Sequence, residues 1–155
     1  MKIISYRHET LSGVGVVADD GNVISLKAAA PELPDTLRGI LKIDPELQFV
    51  ENAVQGRSAD LPMDDVTFEP VVPEPHATWA LALNYTLHIE ETGLTTSREY
   101  PQIFMRMPIS QVGHNEPLWA PPLSVAEAYD YEGELAVVIG KPGRHIKRED
   151  AFDHI

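Results

Sequence analysis

Short apolar runs separated by polar turns dominate the start of the chain. Residues 2–7 and 14–18 are rich in β-branched side chains, and residues 23–26 continue the pattern after a turn. The turn, residues 19–22, contains Asp, Gly and Asn, which favour tight turns. Runs of this length bounded by turn residues are typical of strands, so the pattern predicts a three-stranded meander.

The apolar spacing then changes from strand-like to helical. Apolar residues recur three or four apart over residues 36–41 and again over residues 46–54, which places them on one helix face. Asp44-Pro45 separates these runs, because proline disfavours helical backbone in the residue before it. Residues 66–68 predict a last short strand. We therefore expect a small α+β domain over residues 1–68.

A proline-rich stretch follows this domain. Residues 69–77 contain three of the chain's prolines, which fix the backbone and predict a semi-rigid linker. The remainder, residues 78–155, forms a second unit in this interpretation. The predicted fold class is α+β.

The second domain begins with a strand, a helix and another strand. The apolar residues 80–83 and the mostly apolar run from Gln102 to Met105 predict the strands, and residues 85–92 predict a short helix between them. Asn84 is a plausible N-cap for this helix, and Gly93 a plausible stop.

The most informative segment is an apolar strand predicted over residues 132–139, which carries Glu132 and Glu134 at its start. Side chains two apart on a strand point to the same face, with their Cα atoms about 7 Å apart. Gly133 between them lets a ligand or another backbone come close. A hard divalent cation such as Mg²⁺ prefers such oxygen ligands. The alternative is two solvated glutamates on an edge strand.

His88 and Glu91 form a second candidate constellation on the predicted helix. Residues three apart face the same side of a helix. A carboxylate that holds a histidine orients it and raises its basicity, which makes a general base for water activation. A surface ion pair that contributes only a few tenths of a kcal/mol is the alternative.

Composition and charge limit the classes of binding partner that we expect and indicate a location. The formal charge is −12, from 24 acidic and 12 basic residues, which repels nucleic acid and anionic lipid. Cysteine is absent, and the N-terminus lacks the apolar core of a secretory signal, so we expect a cytoplasmic protein. The chain ends within a helix predicted to begin near Lys147, from which we expect a fragment or a truncated product.

Three motifs in this order carry a family resemblance. They are Asn84-Tyr85 with His88 and Glu91, then Pro101, Ile103, Phe104 and Arg106, then Asp130-Tyr131-Glu132-Gly133-Glu134-Leu135. Together they resemble the bacterial small-member branch of the fumarylacetoacetate hydrolase family. The start of the chain is also similar to the lead domain of that branch. The resemblance implies a mixed β-roll catalytic domain, of which this chain contains the first part.

The resemblance also implies roles for individual residues. Glu132 and Glu134 match two ligands of Mg²⁺, Mn²⁺ or Ca²⁺, and His88 with Glu91 matches a pair that activates water or moves a proton. Arg106 stands where the family usually has Lys, and it keeps a role in binding a substrate carboxylate. A third metal ligand, an Asp, would lie beyond Ile155. The loop from Ser110 to His114 resembles a pocket-lining variant, although an ordinary polar loop is the favoured interpretation of His114.

The expected activity is metal-dependent C–C hydrolysis of a β-diketo acid or acylpyruvate. Decarboxylation, isomerisation or dehydration of a 2-oxo acid needs the same enolate stabilisation and is the first alternative. A non-catalytic, truncated family remnant is the second. The expected partner is a small 2-oxo or diketo acid, without nucleic acid or membrane, and the resemblance implies a homodimer.

Overall fold

The structure, a computed structural model, describes residues 1–93, 100–126 and 133–155. The chain divides into two compact units. The first comprises Met1–Val72 together with Val112–Ile155, and the second comprises Pro73–Gln111. This division does not test the domain boundaries predicted from the sequence, which stay a prediction. The α+β class is confirmed, since both units combine strands with helical segments.

A four-stranded antiparallel sheet forms the centre of the first unit. Its strands are β1 (Ile3–His8), β2 (Leu11–Val17), β3 (Val23–Ser25) and β4 (Thr67–Phe68), in the order β3-β2-β1-β4. The predicted meander and the predicted fourth strand are confirmed. Ser5 lies opposite Val14 in the register of β1 and β2, and Tyr6 lies opposite Phe68 in that of β1 and β4.

A tyrosine covers the glycines of β2. A Cβ atom added to Gly13 would lie 3.3 Å from the Tyr6 ring, and one added to Gly15 would lie 2.5 Å from Val23 Cγ1. The Tyr6 hydroxyl donates a buried hydrogen bond of 2.9 Å to Ser25 Oγ. The Gly13 and Gly15 positions therefore serve close packing of the sheet.

The turn between β2 and β3 has the chemistry that its sequence predicts. The Asn22 N–H donates to Asp20 Oδ1 at 2.9 Å, and Gly21 adopts a positive φ of 85°. Hydrogen bonds from Asn22 lower the pKa of the Asp20 carboxyl, because they stabilise its charged form.

Three short helices cover the sheet: α1 (Leu26–Ala29), α2 (Leu37–Ile43) and α3 (Gln48–Val54). The two predicted helices correspond to α2 and α3. Thr36 caps α2 by accepting the Gly39 N–H at 3.1 Å. The apolar face of these helices closes a core whose buried members are Val14, Val16, Leu26, Leu37, Ile40 and Val50.

In its described residues the second unit contains a two-stranded antiparallel sheet, an α-helix and a short 3-10 helix, Pro108–Ser110. Its strands and α-helix are β5 (Thr78–Ala82), α4 (Thr86–Thr92) and β6 (Gln102–Arg106). Gly93 ends α4 in the left-handed conformation with a φ of 64°, as predicted. The predicted cap is wrong, because Tyr85 stays extended and occupies the N-cap position, which leaves Asn84 one residue outside the helix.

The strand predicted over residues 132–139 is absent from its described part. Residues 133–140 have no strand, and Leu135 is 84% exposed. A strand needs a hydrogen-bonding neighbour, and none of the described strands pairs with this segment. The predicted C-terminal helix is a 3-10 helix, Arg148–His154, whose His154 carbonyl accepts the Gly140 N–H at 2.9 Å.

No helix in the described ranges combines the length and apolar character needed to cross a bilayer.

Candidate functional site

Helix α4 positions the predicted catalytic pair. Thr86 begins the helix and Gly93 follows its last residue, so His88 and Glu91 lie one turn apart on the same side. His88 is half-buried and Glu91 is exposed. An imidazole at the edge of solvent with a carboxylate one turn away can accept and return a proton.

Arg106 is the last residue of β6. It lies opposite Thr78 of β5 in the sheet register, so the antiparallel strand pairing fixes its backbone. Its side chain is exposed to solvent. A guanidinium in this position can bind a planar carboxylate with two parallel hydrogen bonds.

The structure places three of the five predicted site residues in one unit. His88, Glu91 and Arg106 all belong to Pro73–Gln111. Glu134 belongs to the other unit, and Glu132 lies outside the described residues. The proposed metal ligands and the proposed acid–base pair therefore come from different parts of the chain.

The surroundings of Glu134 are open, and the described part of its segment does not form the strand that would place Glu132 and Glu134 on one face. Its side chain is exposed, and a Cβ added to Gly133 would meet no heavy atom within 4 Å. Two carboxylates two residues apart are a donor set that fits a hard divalent cation. Within the described ranges no three His, Asp or Glu side chains are grouped closely enough to hold a metal ion.

The sequence analysis missed how the loop after Ser110 packs. Gly113 is buried, and a Cβ added to it would lie 2.5 Å from the carbonyl carbon of Phe68. The exposed His114 ring meets the Phe68 ring edge to face, with centroids 5.2 Å apart and planes at 84°. A glycine inside a polar loop is the one sequence signal that pointed to this close approach.

Comparison with protein families gives one match that covers half of the chain. The family model described as fumarylacetoacetate (FAA) hydrolase C-terminal matches residues 77–155. This range contains every residue that the sequence analysis placed in the site.

Curated relatives match most or all of the chain. The mitochondrial oxaloacetate tautomerase FAHD2A of Homo sapiens is 35% identical over 100% of this chain and 50% of its own length. The oxaloacetate tautomerase YisK of Bacillus subtilis is 33% identical over 92% of this chain and 52% of its own. The chain therefore spans about half the length of these relatives.

A solved structure matches the fold. A protein described as HpcE from Mycobacterium smegmatis superposes with a TM-score of 0.73 and covers 99% of this chain and 51% of its own. The identity is 23%, so this likeness concerns the fold alone.

Proposed function

The chain belongs to the fumarylacetoacetate hydrolase family, and we propose that the protein is a metal-dependent tautomerase of a small 2-oxo acid such as oxaloacetate. The observation that carries this proposal is the similarity of the chain to two proteins named oxaloacetate tautomerases, one human and one bacterial. Tautomerisation is an isomerisation of a 2-oxo acid, which the sequence analysis gave as an alternative. We propose it ahead of the hydrolysis expected from the sequence.

His88 is the proposed acid–base group. In the keto-to-enol direction it takes a proton from the carbon next to the 2-oxo group and then returns that proton to the carbonyl oxygen, which gives the enol. Glu91 lies one turn away on α4 and orients the imidazole. An imidazole can both accept and donate a proton, which suits a transfer that runs in both directions.

Arg106 is the proposed substrate anchor. Its guanidinium is exposed and can bind a carboxylate in a planar fork. It therefore holds the acid end of the substrate and takes no part in proton transfer.

Glu132 and Glu134 are the proposed ligands of a divalent cation, Mg²⁺ or Mn²⁺. When bound, the cation supplies Lewis-acid stabilisation of the negative charge on the 2-oxo oxygen. The assignment rests on the preference of a hard divalent cation for paired carboxylates, and the exposed side chain of Glu134 is accessible to such an ion. A homodimer and a cytoplasmic location stay predictions.

The second candidate is C–C hydrolysis of an acylpyruvate. The match of residues 77–155 to the fumarylacetoacetate hydrolase model favours it. In this reaction His88 takes a proton from water, which attacks the acyl carbonyl carbon. The C–C bond beside that carbon then breaks, its electron pair leaves with the departing enolate, and the enolate carbon takes the proton back from His88. Both reactions develop an enolate, so the same residues serve either one.

The test is a turnover assay on the purified protein with Mg²⁺ or Mn²⁺. Oxaloacetate enol and an acylpyruvate are offered separately, and the loss of each is followed by ultraviolet absorbance. We expect enol conversion to exceed acylpyruvate cleavage. Faster acylpyruvate cleavage would favour hydrolysis, and turnover of neither acid would favour a non-catalytic protein.

Variants on α4 test the catalytic pair. We expect His88→Gln to lower kcat by about 10²-fold or more, because it removes the acid–base group. Glu90→Gln is the matched control, since this neighbour of Glu91 is equally exposed but points to a different side of the helix. A His88→Gln variant as active as Glu90→Gln would overturn the role of His88.

A further inference from the structure

The segment that carries His88, Glu91 and Arg106 leaves and rejoins the first unit at neighbouring points. The segment is Pro73–Gln111, so Val72 precedes it and Val112 follows it. Val71 and Val112 line the same shallow cleft, together with Phe68 and His114. The two ends of the segment therefore converge on the edge of the first unit where β4 ends.

The outgoing end is held by strand β1. Ser5 is 3% exposed, and its hydroxyl donates a hydrogen bond of 2.7 Å to the carbonyl oxygen of Val71. The Glu69 N–H donates to the Ser5 carbonyl oxygen at 2.9 Å. Two bonds on one buried residue fix the chain just before the segment begins.

The returning end is held by backbone contact. Gly113 lies directly against the Phe68 carbonyl group, in a space that no side chain can share without moving the main chain. Its φ lies outside the left-handed region, so a substitution tests this space and not backbone strain. The ring of His114 then packs edge to face on Phe68.

We propose that Gly113 is a positioning residue, whose close approach to Phe68 fixes the returning end of the segment that carries the candidate acid–base pair. Holding both ends restricts the conformations open to the chain between them. Small displacements of catalytic groups cost large factors in rate, so this anchoring matters for turnover. The catalytic consequence rests on the proposed function; the anchoring does not.

Gly113→Ala is the direct test, and Gly140→Ala is its control. A Cβ at Gly140 would meet only ordinary contact, 3.9 Å from the Ile155 carbonyl carbon, and Gly140 belongs to the same unit. The measurements are tryptic cleavage after Arg106 under native conditions, the cross-ring nuclear Overhauser effect between Phe68 and His114, and amide exchange of Val16 in β2.

We expect Gly113→Ala to abolish the cross-ring effect and to raise the cleavage rate by about fivefold or more, while Val16 exchange stays unchanged. Gly140→Ala should match the wild type in all three measurements. If Gly113→Ala retains both the cross-ring effect and the wild-type cleavage rate, the proposal is wrong. Faster Val16 exchange in step with cleavage would also overturn it, since that pattern reports general destabilisation.

Ser5→Ala keeps the proposal testable if Gly113→Ala does not fold. It removes the hydrogen bond to Val71 without adding bulk, and we expect it to raise cleavage after Arg106 by about threefold. An unchanged rate would contradict the anchoring.

Turnover measurements distinguish the anchoring proposal from the proposed function. We expect Gly113→Ala to lower kcat by about tenfold with KM nearly unchanged, as misplacement of catalytic groups predicts. A wild type that converts no 2-oxo acid contradicts the proposed function, while cleavage and the cross-ring effect still decide the anchoring.

Discussion

The two sheets of the molecule show what a strand pattern can and cannot specify. In the first unit, helices cover one face of a four-stranded sheet, and Ile40 and Val50 are fully buried. In the second unit, β5 and β6 pair in register, yet every residue of β6 is exposed. Apolar runs produced strands in both units, but burial also requires a covering element. A two-stranded sheet without a cover is only marginally stable in water.

Core truncation should have the largest effect and should separate the two units most clearly. Ile40→Ala leaves a cavity in the first unit, where Ile40 is 0% exposed, and we expect it to lower the free energy of unfolding by about 2–5 kcal/mol. Ile103→Ala in β6, where Ile103 is 56% exposed, should cost about 0.5 kcal/mol. Urea denaturation followed by circular dichroism measures both. Equal losses would break the comparison.

A buried carboxylate should have a smaller effect within the first unit. Asp44 is 4% exposed, and its two oxygens accept the N–H groups of Gln48, Phe49 and Val50 at 2.8–3.3 Å. It therefore caps α3, whose N-cap residue Leu47 has no side-chain cap of its own. We expect Asp44→Ala to cost about 1–2 kcal/mol in urea denaturation, because these donors lose their acceptor.

The control for this prediction is Asp44→Asn. The amide oxygen still accepts part of the set of hydrogen bonds, so it should recover part of the loss. If Asp44→Ala unfolds at the same urea concentration as the wild type, the cap contributes nothing to the free energy of unfolding.

The sequence could predict the elements whose causes are local. The meander follows from β-branched runs around the turn at residues 19–22, and α2 and α3 follow from helical spacing on either side of Asp44-Pro45. The end of α4 follows from Gly93, which adopts the left-handed conformation without strain.

The features that the sequence did not predict depend on distant partners. The strand expected over residues 132–139 has no pairing partner among the described strands, so its apolar residues do not form one. The packing of Gly113 on Phe68 joins residues far apart in the chain, so the glycine in the loop could indicate a close approach but not its partner. The prediction of the α4 cap was wrong for a local reason. The helix begins one residue later than predicted, so Asn84 lies outside the N-cap position.

For the candidate site, the sequence predicted residue types and local spacing. His88 and Glu91 lie one helical turn apart as expected. The strand predicted over residues 102–105 extends one residue further, so that Arg106 is its last residue. The distance from this pair to Glu134 is a long-range property that spacing along the chain cannot supply.

The claim at the centre of this account is that Glu132 and Glu134 bind a divalent cation, and paramagnetic Mn²⁺ tests it directly. We expect Mn²⁺ to broaden the amide resonances of Gly133 and Glu134 selectively in the wild type and to lose that effect in the Glu132→Gln/Glu134→Gln variant. Asp64→Asn/Asp65→Asn removes the same charge from adjacent acids elsewhere and should keep the broadening. Equal broadening in both double variants would contradict the metal site and the proposed function built on it.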